Sequence, residues 1–378
     1  MSKPALRAML DGAAEAVSLE QLQAAASRRI AQITGAEAGL VTAGCSAALT
    51  LGAAAILTGY DAGKMESLPR CDRFAHEFLI AREQRNGYDH AVRAAGAVLV
   101  EVGFNEQIAG AGVRRTEGWE YAAAVTANSA GILYVQSAGS QPPLAQVVEV
   151  ARRHRLPVLV DGAGALPPEE NLTALVASGA DLVAFSGGKL LRGPQSTGIL
   201  CGKRALVGPA ALQMLDMDDH PQLWEPPEEL FDQRFLSGVP RHGIGRGLKV
   251  SKEEIAALLT ALDQFVSADR AAERRDQIKL LEDIAARLTS VCARCRLSDL
   301  PGALPRLEVA IDEGALKATA FDVCRRLRQG QPPIYVGHAR LAEGILVINP
   351  FCLTPADARV LTERLVEVLS ARPVPPEP

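Results

Sequence analysis

Residues 156–189 read LPVLVDGAGALPPEENLTALVASGADLVAFSGGK, and this stretch decides the fold. The apolar runs LPVLV and LVAF are too continuous for strands with one wet face, so both are read as strands buried on both sides. Between them, ENLTALVASGA has the pattern of a helix, which makes the whole a βαβ unit with parallel strands. Asp161 closes the first strand, while Ser186 and Lys189 close the second. Ligands of open parallel α/β sheets bind beyond the carboxyl ends of the strands. A carboxylate and a lysine are therefore expected to face one pocket.

The same alternation runs outward in both directions. GLVT (39–42) leads into SAALTLGAAAIL (46–57). EFLIA (77–81) is followed by YDHAVRAAG (88–96) and AVLVEVG (97–103), and GILYVQSA (131–138) by LAQVVEVARRH (144–154). This is the signature of a largely parallel sheet with crossover helices. The pattern lapses into a loop-rich stretch at 218–250, then resumes with a helix from Ser251, which forms a capping box with Glu254. RLEVAI (306–311), PPIYVGH (332–338) and GILVINP (344–350) are strand candidates, followed by an amphipathic helix from Thr354. The expected organisation is an N-terminal helical arm over 1–38, a large domain over 39–250, a smaller C-terminal α/β domain over 251–370 and a frayed tail over 371–378.

Composition excludes several classes. The 378 residues carry 40 basic and 44 acidic side chains, a net charge of −4, with no long Lys/Arg run to track a phosphate backbone. No nucleic-acid partner is expected. Asp11, Glu15 and Glu20 interrupt the apolar positions of the N-terminus, unlike a signal peptide, and no segment offers about 18 charge-free apolar residues for a membrane span. Seven scattered cysteines suit free thiols in a reducing cytoplasm. Cys292 and Cys295 form a lone C-x-x-C without a second pair, and the histidines form no ligand spacing, so no metal is expected.

Taken singly, a strand-end Asp caps the next turn and a loop Lys is solvated. Here, however, Gly187, Gly188 and Gly193-Pro194 open space around Lys189 for something large. A pyridoxal phosphate (PLP) site wants a lysine for a Schiff base, a carboxylate to keep the pyridine nitrogen protonated, a small residue under the ring and an anion cradle. Lys189, Asp161 and Ala163 fit the first three. The stretch TAGCSAAL (42–49), with Gly44, Cys45 and Ser46, supplies a helix N-terminus for the phosphate, and Ser186 a further donor.

VDGAGALPPEENL, DLVAFSGGKLLRGPQSTGILCGKR and VPRHGIGRGLKVSKEEIAALLTAL resemble the fold-type-I PLP enzymes related to bacterial selenocysteine synthase, in particular their D-glucosaminate (6-phosphate) ammonia-lyase branch. The resemblance covers roughly residues 30–370. It implies an aspartate aminotransferase-like fold, with a mostly parallel seven-stranded sheet, helices on both faces and a smaller C-terminal α/β domain. It also implies that Lys189 carries the cofactor, that Asp161 pairs with its ring nitrogen and that Ser46, its neighbours and Ser186 hold the phosphate. Gln195 is implied to contact the cofactor or a subunit neighbour. A homodimer or higher oligomer is implied, with sites at the subunit interface that the loop bearing Arg241, His242 and Arg246 reaches.

The expected reaction is α,β-elimination on a small-molecule β-hydroxy amino acid, an amino-sugar acid of the D-glucosaminate type, to a 2-oxo acid and ammonia. For the acid that protonates the leaving hydroxyl, Lys189, His90, Tyr88 and His242 stay open. For substrate anions the candidates are Arg85, Arg192, Arg241, Arg246 and Arg340, because the guanidinium fork matches a carboxylate. The alternatives are a PLP-dependent β-eliminating lyase, aldolase or racemase on a simpler amino acid. A seryl-tRNA selenium transferase fits less well, because about 38 residues precede the first sheet strand and the charge balance is acidic. A non-catalytic PLP carrier would keep Lys189 but convert no amino acid.

Overall fold

The computed structural model describes residues 1–104, 115–215, 220, 222–238, 241–289 and 291–370; the expected tail at 371–378 lies outside them. Two compact units divide the chain, Met1–Ser267 and Ala268–Pro378.

The first unit begins with α1 (Lys3–Ala14) and α2 (Leu19–Thr34), followed by β1 (Ala38–Thr42), α3 (Cys45–Thr58) and α4 (Ala62–Ser67). Then come β2 (Glu77–Ala81), α5 (His90–Ala94), β3 (Val98–Val102), α6 (Gly118–Ala124), β4 (Ser129–Val135) and α7 (Leu144–His154). β5 (Val158–Asp161), α8 (Asn171–Ala177), β6 (Leu182–Ser186), β7 (Gly198–Gly202), α9 (Arg204–Met214) and α10 (Lys252–Ser267) complete it.

Its seven-stranded sheet has the order β1-β7-β6-β5-β4-β2-β3. From β3 to β6 the neighbours are parallel, as the crossover helices require. β7 runs antiparallel to both β6 and β1, because residues 187–197 join β6 to β7 by a loop without a crossover helix. Leu182, Val183, Ala184 and Phe185 are consecutive and each 0% exposed, so both faces of β6 are covered. α3 is apolar around its whole circumference and lies in this core, with Gly52 close to Leu159, Leu182 and Leu200. α2 masks the free edge of β1: Gln23 accepts from Val41 N at 3.0 Å and donates to Val41 O at 2.8 Å, and Ser27 accepts from Gly39 N at 3.0 Å.

The expected boundary at residue 250 lies one helix before the observed division. α10 packs on α1 and belongs with the large unit, as does the N-terminal arm. Its capping box forms as read, with Glu254 N donating to Ser251 Oγ at 3.4 Å and Ser251 Oγ to Glu254 Oε2 at 3.1 Å.

The second unit contains α11 (Arg270–Arg287), β8 (Ala293–Ser298), β9 (Arg306–Ile311), α12 (Glu313–Leu316), α13 (Ala320–Gln329), β10 (Ile345–Ile348) and α14 (Pro355–Ser370). Its antiparallel sheet has the order β10-β9-β8 and buries Leu307, Val309, Leu346 and Ile348 with Leu281, Ile284 and Leu365. Two expectations are corrected here. PPIYVGH is not a strand: its two prolines lack N–H groups, and a single bridge, Gly337 to Val347, joins it to β10. The stretch around Cys295, read only for its cysteine spacing, is instead strand β8. All seven cysteines are free thiols. No described helix is long and apolar enough to cross a membrane.

Candidate active site

β7 sets the expected anion-binding parts side by side, for Gly198 is the register partner of Thr42 in β1 and of Ser186 in β6. The chain leaves β1 through a tight turn in which Gly44 N donates to Thr42 O at 2.8 Å and Thr42 Oγ1 donates to Gly44 O at 3.0 Å. Gly44 caps α3 with φ at +91°, in the left-handed region that glycine adopts at least cost, and brings no side chain to the helix end. Ala48 N reaches Gly44 O at 3.1 Å, so the N–H groups of Cys45, Ser46 and Ala47 precede the first helical bond and are the donors an anion would meet. A Cβ on Gly198 would fall 2.4 Å from Gly44 C and 2.6 Å from Cys45 N. The turn thus depends on a bare backbone beneath it.

Asp161 ends β5 between Val135 of β4 and Ala184 of β6. Its carboxylate is 7% exposed; Oδ1 accepts from Ala163 N at 3.0 Å and lies 3.9 Å from Cys45 Sγ. Burial pushes this carboxyl above the ordinary range, the Ala163 N–H and the Lys189 charge oppose the rise, and Asp89 adds to it. The Cys45 thiol is driven far up by burial and by Asp161, against the pull of Lys189, and stays protonated. Lys189, Asp161, Cys45 and Asp89 therefore share one electrostatic neighbourhood.

Lys189 is exposed in the loop between β6 and β7. Backbone bonds fix that loop: Gly187 N to Thr197 O and Gly193 N to Gly187 O, both 2.8 Å, with Arg192 N to Lys189 O at 2.9 Å closing a turn over the lysine. Arg192 sits at φ +58° and is exposed, as is Gln195, whose backbone passes close beneath Gly188.

The proposed arginines disperse. Arg85 pairs with Asp89 and Glu101, so its charge is engaged within the chain. Arg241 is largely exposed and lies by Glu66, its N–H donating to that carboxylate at 2.7 Å. His242 is exposed and Arg246 half-buried in the following turn. Arg340 belongs to the second unit, where it pairs with Glu308 at 2.9 Å and with Glu343. Tyr88 and His90 are exposed on either side of Asp89. Asp89, only 4% exposed, is the residue that sequence reasoning missed. Its signal was the Arg85–Asp89 spacing of four, hidden by reading the segment only as a helix start.

The family model for L-seryl-tRNA selenium transferase (SelA) matches residues 87–216, the span from Asp89 through Asp161 and Lys189 to the end of α9. The chain is homologous to the selenocysteine synthase-like, fold-type-I PLP enzymes. It is 29% identical to a 5'-C-glycyluridine monooxygenase-decarboxylase of Streptomyces sp. over 98% of this chain and 86% of that one. It is 24% identical to D-glucosaminate-6-phosphate ammonia lyase of Salmonella typhimurium, over 96% of this chain and 89% of the relative. A solved structure of D-glucosaminate-6-phosphate ammonia-lyase superimposes with a TM-score of 0.79 at 23% identity, covering 98% of this chain and 91% of the other. That likeness establishes the aspartate aminotransferase-like fold.

The residues in place suit the family's cofactor. The start of α3 has no side-chain cap, which leaves its first N–H groups for an anion, and a Cβ at Gly198 would displace that turn. Among the described residues, Asp161 Oδ2 accepts no hydrogen bond, which leaves an acceptor for a ring N–H on a residue only 7% exposed. Lys189 stands two residues beyond the first glycine after β6, with its charge felt at Asp161.

Proposed function

We propose that this enzyme catalyses α,β-elimination on a β-hydroxy amino acid, an amino-sugar acid of the D-glucosaminate type, releasing a 2-oxo acid and ammonia. The supporting observation is the convergence of Lys189, Asp161 and the bare first turn of α3 beyond the ends of β5, β6 and β1. The resemblance to the ammonia lyase along nearly the whole chain favours this outcome over others open to the same parts.

When bound, PLP supplies an aldehyde that condenses with amines and a pyridinium ring that takes up the electron pair left when a bond at Cα breaks. The N–H groups of Cys45, Ser46 and Ala47 would bind the phosphate, with Ser186 next to them across β7. Ala163 leaves a flat floor. Asp161 would keep a proton on the ring nitrogen, its carboxylate oriented by the Ala163 N–H on Oδ1. Lys189 Nζ would hold the cofactor through its aldehyde carbon and, as a free amine, would accept the proton from the substrate Cα. The leaving hydroxyl then departs as water after protonation, with Lys189 Nζ or an imidazole of His90 or His242 as donor. Hydrolysis of the resulting enamine returns one water and releases ammonia, so the net reaction converts the amino acid to a 3-deoxy-2-oxo acid and ammonia.

The assembly proposed is a homodimer or larger oligomer in the cytoplasm, with Arg241, His242 and Arg246 serving a neighbouring site. A second reading is favoured by the 29% identity to the monooxygenase-decarboxylase. It makes the substrate a glycine-like amino acid that loses its carboxylate with consumption of oxygen.

The test is borohydride reduction of the purified holoenzyme with peptide mapping, then a screen of D- and L-amino acids, amino-sugar acids and glycyl nucleosides. Ammonia and 2-oxo acid from a sugar acid support the elimination. Oxygen uptake with carbon dioxide release supports the second reading. A reduced cofactor adduct anywhere but Lys189 overturns both.

A further inference from the structure

We infer that Glu254 is a positioning residue for the Lys189 loop, tying it to the first turn of α10. This rests on Lys189 being the cofactor lysine. Oε1 of Glu254 accepts from the Ser196 hydroxyl, two residues before β7 begins. Oε2 accepts from Ser251 Oγ at 3.1 Å and from Ser251 N at 3.4 Å, in the capping box of α10. One carboxylate thus spans two jobs, closing a helix N-terminus and holding a loop.

One turn further along the same helix, Leu258 packs under that loop and is 0% exposed. Its Cδ1 would stand 2.7 Å from a Cβ on Gly187 and 2.8 Å from one on Gly193, so the two glycines on either side of Lys189 rest directly on it. The carbonyl of Ser196 points back toward the cradle, 3.8 Å from where a Cβ of Gly44 would be. The loop is therefore pinned to α10 by a hydrogen bond at one end and by apolar contact beneath the lysine, next to the turn that takes the phosphate.

A lysine on an untethered loop would spend conformational entropy each time it met the cofactor aldehyde or the substrate Cα. Holding the loop on a rigid helix removes most of that cost before binding. The hydrogen bond suits the purpose because its acceptor is charged and already held by the Ser251 backbone N–H, which S251A keeps, so Ser196 alone need be ordered.

The competing explanation is that Glu254 only caps α10, and the two serines separate these roles. S196A removes the tether and leaves the cap, whereas S251A weakens the cap and leaves the tether. The experiment uses PLP-loaded full chains of wild type, S196A, S251A, E254Q and E254A. It records the pH titration of the visible cofactor band, the cofactor dissociation constant, kcat and KM, and Tm.

S196A and E254A are expected to weaken cofactor retention about three- to tenfold and to shift the midpoint of the band, the range expected for one net hydrogen bond. kcat should fall more than KM rises. S251A is expected to lower Tm while the band and retention stay as in wild type. E254Q, whose amide oxygen serves only one serine, should fall between. The inference is overturned if S196A retains the wild-type band and retention, or if S251A moves them as much as S196A does. E254Q reports the same contrast should E254A fail to fold. Mapping of the reduced adduct in wild type keeps the two failures distinct: an adduct away from Lys189 sinks the site reading, while an adduct on Lys189 with an unaltered S196A sinks only the tether.

Discussion

Asp161 Oδ1 accepts the Ala163 N–H at 3.0 Å and faces Cys45 Sγ at 3.9 Å, so the chain itself occupies one oxygen of this buried carboxylate. The other oxygen accepts from no donor among the described residues. A protein retains such a group where a ligand supplies the missing partner, and its cost should be measurable in the apoenzyme.

That cost has a pH sign. The folded carboxyl of Asp161 sits above its unfolded value of about 3.9, so between the two values the folded state holds more protons. Apoenzyme stability should therefore fall as pH rises from about 4 through the raised value, then level off. D161N abolishes this contribution, so its stability relative to wild type should grow across that window, while the amide oxygen still accepts from Ala163. Denaturant unfolding of both apoproteins from pH 4 to 7 measures it; a constant difference would refute the reading. With PLP present the order should reverse, and D161N should lose activity by at least about 100-fold.

Lys189 carries the most direct prediction. K189A should bind PLP without the shift in the visible band that a lysine linkage gives, and borohydride should leave no covalent cofactor. Turnover should fall by about 100-fold or more, since the proposed base at the substrate Cα is gone. Added methylamine should restore part of it. Stability should change little because Lys189 is exposed.

How much of this was legible beforehand differs by element. The βαβ unit around Asp161 and Lys189 could be read because its strands are continuous apolar runs with one periodic helix between them. The cradle at Gly44 was legible from its small residues, but its dependence on Gly198 was not. That contact joins residues 154 positions apart and follows from β7 turning back between β6 and β1. Asp89 was hidden for the same reason, since its burial comes from tertiary packing. The strand expected at 332–338 failed because apolar alternation outweighed the prolines in the reading, whereas the missing N–H groups decided the structure.

Gly198 offers a test of the cradle that leaves every polar group in place. G198A would put a methyl carbon 2.4 Å from Gly44 C, against backbone that cannot yield as a flexible side chain would. The expected result is a stability loss of about 1–3 kcal/mol from overpacking, with PLP affinity reduced at least tenfold because the first turn of α3 is displaced. Isothermal titration with PLP and, separately, with inorganic phosphate checks this. Equal affinity in wild type and G198A would show that the turn does not hold the phosphate.

The Arg85–Asp89 pair should couple to Asp161 without touching it. Asp89 is buried and raises the Asp161 carboxyl, while Arg85 also pairs with Glu101 and would keep that partner in D89N. D89N should cost about 1–3 kcal/mol, the penalty of breaking a charged hydrogen bond at a partly buried site. It should also move the pH window assigned to Asp161 downward, because a neighbouring negative charge is gone. A double-mutant cycle of D89N and D161N in the apoprotein isolates the interaction. Two repelling carboxylates predict that the double variant is less stable than the sum of the single changes implies, and that this deficit grows from pH 4 to 7 as Asp161 ionises in wild type. Strict additivity at pH 7 would place Asp89 outside the electrostatic reach of the site and leave the Arg85 pair as a purely local brace for the loop after β2.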